Sequence, residues 1–344
     1  MNLPDVISTE EELEDVMSIP SQRLVQFMNG LDGDIMILGI GGKMGTTLGR
    51  LAVNACTKAG AKKKIFGVSR FSNPEVQQKL GECGLETIPC DLLERDAVEQ
   101  LPQVKNIVFM AGKKFGTSGD EEMTWAMNAL VPGNVGHHFT DSRIVAFSTG
   151  NVYPFAPICS GGCMEDDMTG PIGEYAQSCL ARERIFHYYS LRNQSPMAII
   201  RLNYAIDLRY GVLYDIGSRV LNEEAIDLTT GHANVIWQGD ANAHTLLALG
   251  QCRIPPSIFN VTGPEAISVR QVAAQYGQLF ETEPIFEGEE SKSALLSNSS
   301  KAVRHFGDPD VSLRQMIEWT ACWLKGNGPS LNKPTNFEVR DGKF

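Results

Sequence analysis

Residues 39 to 45 constrain this chain more than any other segment. They read Gly39-Ile40-Gly41-Gly42-Lys43-Met44-Gly45 and stand directly after the apolar run Ile35-Met36-Ile37-Leu38. The run predicts a short buried strand, and Leu48, Leu51, Ala52 and Cys56 repeat at helical spacing behind the last glycine. In a strand, tight turn and helix of this kind, the first amides of the helix lack carbonyl partners and lie at the positive end of its dipole. Glycines let the chain turn there, let the backbone approach an anion and let the helix pack closely on the strand. The expected function of Gly39, Gly41, Gly42, Lys43, Met44 and Gly45 is therefore to cradle the pyrophosphate of a dinucleotide, with Lys43 adding charge.

The pattern then repeats. IFGVS, ETIPC, NIVFMA and RIVAFS are further apolar runs separated by helical spacing, and MAIIRL follows a helix from about Ile172 to Leu191. Apolar strands alternating with helices read as a parallel sheet covered on both faces, a doubly wound α/β sheet or Rossmann fold. Beyond Asn203 the regularity is lost; VIWQG, IFNV and the helices SVRQVAAQYGQLF and LRQMIEWTACWL are expected to form a smaller substrate-binding lobe. Residues 1–33 read as a helical extension, opened by a capping box at Thr9 and Glu12. Residues 34–205 read as the dinucleotide-binding domain, and 206–344 mainly as the second lobe and tail.

Composition narrows the function. A chain of 344 residues with 42% hydrophobic residues can bury a large core, and a formal charge of −11 without a basic run argues against nucleic acid as a partner. No stretch reaches the roughly 20 apolar residues that span a bilayer, and the acidic N-terminus does not resemble a secretory leader, so neither a membrane nor export is expected. Eight scattered cysteines suit a reducing, cytoplasmic setting. Cys159 and Cys163 have no second pair nearby, and the adjacent His137 and His138 point apart on a helix end; no metal site is expected.

The glycine spacing, taken with later segments, resembles the extended short-chain dehydrogenase/reductases, the family of NAD-dependent sugar epimerases and dehydratases. Asp91-Leu92 after the third strand resembles the family's adenine contact, and Met110-Ala111-Gly112 its cofactor turn. Asn128 matches a family asparagine, Ser148-Thr149-Gly150-Asn151-Val152-Tyr153 resembles Ser-Ser-x-x-x-Tyr, and Tyr175 stands at the position of the catalytic tyrosine. RLNY, with Asn203, and WQGDANA and FNVTGPEAIS resemble second-lobe segments; the likeness runs over about residues 34 to 325. It implies a dinucleotide on the glycine turn, Tyr175 as acid and base, Thr149 holding the reacting oxygen, and substrate contacts from Thr149, Gly150, Asn151 and Asn203. It also implies a homodimer through the helices beginning near Asp120 and Ile172.

Two departures matter. NAD enzymes end the second strand with an acid that accepts from the ribose 2′-hydroxyl, whereas this chain has Ser69-Arg70, which suits a 2′-phosphate and favours NADP over NAD. The family's lysine four residues after the tyrosine is Cys179 here, so the cation that would bring a tyrosine of pKa about 10 towards neutrality is absent. Three readings remain: another cation such as Lys114 substitutes, the charged nicotinamide suffices, or the dinucleotide is bound without turnover. The family's Asp-Glu pair for dehydration is Gly150-Asn151 here, and no arginine precedes NVIWQGD to grip a diphosphate. The expected reaction is oxidoreduction or epimerisation at a hydroxyl or keto carbon of a carbohydrate-like small molecule, with a non-catalytic dinucleotide sensor or scaffold as the alternative.

Overall fold

The computed structural model of the chain describes residues 3–114, 116, 119–333 and 335–342. Its centre is a seven-stranded sheet: β1 (Ile35–Leu38), β2 (Ile65–Ser69), β3 (Glu86–Pro89), β4 (Asn106–Phe109), β5 (Arg143–Thr149), β6 (Met197–Leu202) and β7 (Ser257–Val261). The order is β7-β6-β5-β4-β1-β2-β3 and every neighbouring pair is parallel. All four side chains of β1 are fully buried, as the uninterrupted apolar run requires when helices cover both faces. Each such burial stabilises the fold by about 1.5–3 kcal/mol.

The crossovers are α3 (Gly45–Ala59), α4 (Pro74–Glu82), α5 (Arg95–Glu99), a split helix made of α6 (Glu121–Trp125), a π turn (Ala126–Leu130) and α7 (Val131–His138), and α8 (Gly173–Asn193). Gly60 ends α3 in the left-handed region at φ 64°, and Asn73 caps α4 ahead of Pro74. The parallel α/β architecture matches the sequence reading. One element does not: IFNV, expected in the small lobe, is β7, paired with β6 in the register Ile258↔Ile199. Its position after the irregular stretch suggested the small lobe, but a buried apolar run fits a doubly covered sheet equally well.

Before β1 lie two short helices, α1 (Glu10–Met17) and α2 (Gln22–Gly30), broken at Pro20. The capping box of Thr9 and Glu12 is complete, and Ser21 caps α2. Leu24 and Met28 join the core under α3, while Leu13 and Met17 join a second core formed by α9 (Val212–Leu221), α10 (Val269–Phe280) and α11 (Leu313–Lys325). The extension thus ties the two cores together. No helix among the described residues is long and apolar enough to cross a membrane, and no three His, Cys, Asp or Glu side chains gather at one point.

Candidate active site

The order of the sheet reverses between β1 and β4, whose following connections leave to opposite sides and open a crevice at the carboxyl ends of the strands. A cavity of about 340 Å³ lies there, lined by the glycine turn, the turn after β4, the end of β5, α8, the exit of β6 and the C-terminal tail. Gly39, Gly42, Lys43 and Met44 line it, whereas Gly41 is exposed beside Ser69 and Gly45 is buried. Gly39 has φ +92° and a side chain there would meet the Ala111 nitrogen at 2.6 Å, while one at Gly45 would meet the Ile40 Cα at 2.7 Å. These two glycines shape the turn and the packing of helix on strand. At Gly42 an added carbon would find only the Gly39 carbonyl, at 3.4 Å. Its bareness serves the cavity rather than the fold, which is the property a pyrophosphate cradle needs.

Of the other expected cofactor residues, Met110 and Gly112 line the cavity. Ala111 is buried against Gly39, and Ser69 faces Gly41, whose Cβ would lie 2.7 Å from the Ser69 Oγ. Arg70 is an exposed side chain 3.9 Å from Asp91, which accepts the Leu93 amide at 3.1 Å beside buried Leu92. Ser69, Arg70, Asp91 and Leu92 therefore flank the crevice at the β2 and β3 ends without lining the cavity itself. Asn128, on the π turn, is fully buried behind the wall. It bonds the Lys113 amide and carbonyl at 2.9 and 3.0 Å and the Ser178 hydroxyl at 3.0 Å, locking the turn after β4 to α8.

At the far side, Thr149 ends β5 and accepts the Asn151 amide at 3.2 Å, capping the short turn Gly150–Val152. Thr149, Asn151 and Asn203 line the cavity, while Gly150 is buried behind it, where a side chain would press on Asn203 at 3.1 Å. Tyr175, from the first turn of α8, also lines the cavity, with its hydroxyl near Thr149 and Cys179. Burial pushes the Tyr175 hydroxyl well above its usual value, with the Cys179 thiol adding to the rise and Arg182 opposing it. Burial likewise raises Cys179, which sits in a small apolar cluster with Val152, Tyr153 and Leu296.

Arg182 is the residue that the sequence reading missed. Tyr175, Cys179 and Arg182 are spaced i, i+4 and i+7, so they share one face of α8. The guanidinium lines the cavity, donates to the Phe147 carbonyl at 2.9 Å and to the Asn128 side chain at 2.5 Å, and is buried. That spacing is legible in the sequence, where Arg182 follows Cys179 by three residues. Lys114 meets the Tyr210 hydroxyl at 3.3 Å, and Lys43 donates to the Ala205 carbonyl at 3.2 Å with its ammonium 4.1 Å over the Tyr210 ring. Burial lowers both lysines to about 8.

Behind these groups a buried network fixes α8. Glu183 accepts from Ser148 at 2.6 Å and from Arg201 at 3.0 and 2.8 Å, and Arg201 also donates to the Tyr153 hydroxyl at 2.7 Å. Tyr153 in turn donates to Asn260 of β7 at 2.8 Å. The charged pair is 3% and 2% exposed, so its bonds hold α8 against β5 and β6 without competition from water.

Residues 35–206 match the model of the NAD dependent epimerase/dehydratase family. No curated protein matches the sequence. Among solved structures, the fold is similar to a variant of UDP-glucuronic acid 4-epimerase from Bacillus cereus in complex with NAD and a fluorinated UDP-sugar acid. That match has a TM-score of 0.70 and 18% identity over 85% of this chain and 99% of that one. DesIV, a dTDP-glucose 4,6-dehydratase from Streptomyces venezuelae with NAD bound, matches at TM-score 0.70 and 16% identity, covering 86% and 97% of the two chains. The Bordetella bronchiseptica enzyme WbmG, in complex with NAD and UDP, matches at 0.70 and 19%, covering 89% and 99%.

Proposed function

The chain belongs to the NAD dependent epimerase/dehydratase family, and from that premise we propose that it is an NAD(P)-dependent oxidoreductase or epimerase acting on a hydroxyl or keto carbon of a sugar or sugar-like substrate. The observation that carries the reading is the placement of Thr149 and Tyr175 together on the wall of the cavity that the glycine turn opens. The Lys43 and Met44 amides beside bare Gly42 suit the pyrophosphate, and a bound nicotinamide would take up or return hydride. Thr149 orients the reacting oxygen and Tyr175 exchanges its proton. Asn151 and Asn203 supply further polar contacts to the substrate.

For Tyr175 to act near neutral pH, positive charge must offset its burial. Arg182 stands on the same helix face, and Lys114 lines the same cavity. Their joint field, with an oxidised nicotinamide, takes the place of the lysine that Cys179 replaces. A second reading, dinucleotide binding without turnover, is favoured by the upward shift of the Tyr175 hydroxyl and by buried Cys179 beside it. Tyr175→Phe separates the two. In an enzyme it abolishes turnover, read by reduced-nicotinamide absorbance for oxidoreduction and by analysis of the product sugar for epimerisation, and leaves cofactor binding intact; in a sensor neither parent nor variant converts substrate.

NADP remains the favoured cofactor because Ser69 and Arg70, not a carboxylate, end β2. A free or simply modified sugar or sugar acid is favoured over a nucleotide sugar, since His232-Ala-Asn-Val offers no arginine for a diphosphate. A homodimer is supported by the exposed Met123, Trp125, Leu130, Ile172, Tyr188 and Leu191 on or beside α6, α7 and α8; light scattering at micromolar concentration reads it directly. Free cysteines throughout support a cytoplasmic setting.

A further inference from the structure

Among the described residues that line the cavity, every charged side chain is cationic: Lys43, Lys113, Lys114, Arg182 and Lys333. This is notable in a chain of formal charge −11. Lys113 is paired with Asp120, and Arg182 is engaged by Phe147 and Asn128. Lys43 and Lys114 converge on Tyr210, in the part of the cavity formed by the β6 exit rather than by the glycine turn. The neighbouring carboxylates stand behind this wall: Asp207 bonds Arg209 at 3.3 Å, and Asp215 accepts the Thr335 amide at 3.1 Å.

Lys333 comes from the C-terminal tail, beyond the segment that the family resemblance covers. The tail leaves Arg209, whose carbonyl accepts the Leu331 amide at 3.1 Å, and places Lys333 and Thr335 on the cavity wall. It then crosses Ser293, where the Arg340 side chain donates at 2.9 Å, and brings Gly342 against Gly173, the first residue of α8. A Cβ on Gly342 would lie 2.8 Å from the Gly173 Cα. The tail thus joins the substrate side of the cavity to the helix that carries Tyr175.

We propose that the substrate carries an anionic group, a sugar carboxylate or sugar phosphate, held by Lys43 and Lys114 across the ring of Tyr210, with Lys333 of the tail closing on it at the mouth. This rests on the functional reading above and narrows it. Charge-assisted hydrogen bonds to an oxyanion are the strong ones, and three ammonium groups from three separated segments discriminate it from a neutral sugar.

Calorimetric titrations with D-glucuronate, D-glucose 6-phosphate, D-glucose and UDP-glucose, each with and without saturating NADP, test the proposal. At least one of the two simple acids should bind about tenfold or more tighter than glucose, and which one identifies the carboxylate or the phosphate. Lys43→Gln and Lys333→Gln should each cut that preference about tenfold, and Lys333→Arg should retain it. Acids that bind no tighter than glucose, a preference that survives both glutamine variants, or UDP-glucose binding tightest and indifferent to them would overturn the anion subsite. Failure of NADP itself to bind overturns the dinucleotide reading instead, and the acid preference measured without NADP keeps the two failures apart.

Discussion

Gly42 and Gly45 are three residues apart in one turn, yet the structure gives them different duties, and a paired substitution separates these. A methyl at Gly45 would stand 2.7 Å from the Ile40 Cα and press on its carbonyl, so α3 must shift away from β1. Overpacking of this kind costs about 1–3 kcal/mol, which for a chain of this size lowers Tm by roughly 1–4 °C. A methyl at Gly42 meets only the Gly39 carbonyl at 3.4 Å, an ordinary contact. Gly42→Ala should change stability by less than about 1 kcal/mol in either direction. The same methyl occupies space that a phosphate must enter, and the loss of one amide bond to a charged phosphate costs about 1.5–3 kcal/mol, or roughly ten- to hundredfold in Kd. Differential scanning fluorimetry with NADPH titration reads both effects. Gly42→Ala should melt with the parent and bind weakly, while Gly45→Ala should melt early. A Gly42→Ala variant that binds NADPH as tightly as the parent would refute the assignment of the cradle.

Three further outcomes are expected. Glu183→Ala strands the buried Arg201 cation and should cost about 3–5 kcal/mol, whereas the apolar pair Glu183→Leu with Arg201→Met should recover much of it in thermal melts; a double variant as unstable as the sum of the singles would contradict the argument. Lys43 and Lys114 titrate near 8 in the folded chain against 10.5 unfolded, so the unfolded state binds more protons between those values and stability of the ligand-free chain should rise with pH there. The sign reverses for an anionic ligand, which needs the charged lysines: its Kd should rise above about pH 8, with Tyr210, Asp207, Asp215, Arg209 and Lys333 facing the pair, and Lys43→Gln should flatten the profile. Arg70→Asp should weaken NADP far more than NAD, since it replaces a phosphate donor with a repelling acid; equal losses would show that Arg70 does not read the 2′ position.

The parts of this molecule legible in the sequence are those fixed by local chemistry. The apolar runs of β1, β2, β4, β5 and β6, the glycine turn and the Thr9 capping box depend on spacing within a few residues, and each forms as its spacing dictates. What escaped depends on distant partners. IFNV has the pattern of any buried strand, and only its pairing with β6 places it in the main sheet. Asn128 looked like a cofactor contact, but its position behind the wall follows from bonds to Lys113 and Ser178, the latter fifty residues away in sequence. Lys43 read as a charge beside the pyrophosphate, yet its ammonium extends to Ala205 and Tyr210, which no local pattern announces. The tail carried no periodicity at all, and its place on the cavity wall is set by the Leu331 amide on the Arg209 carbonyl and the Thr335 amide on the Asp215 carboxylate.

The central claim is that a dinucleotide lies with its pyrophosphate on the turn at residues 39–45 and its nicotinamide facing Thr149 and Tyr175. Diffraction from crystals of the chain grown with NADP tests it most directly. Density is expected for the diphosphate within hydrogen-bond reach of the Lys43 and Met44 amides, for the nicotinamide ring in the cavity beside the Tyr175 hydroxyl, and for the 2′-phosphate near Arg70. A dinucleotide bound elsewhere on the protein, or one whose nicotinamide points away from Tyr175, would contradict it.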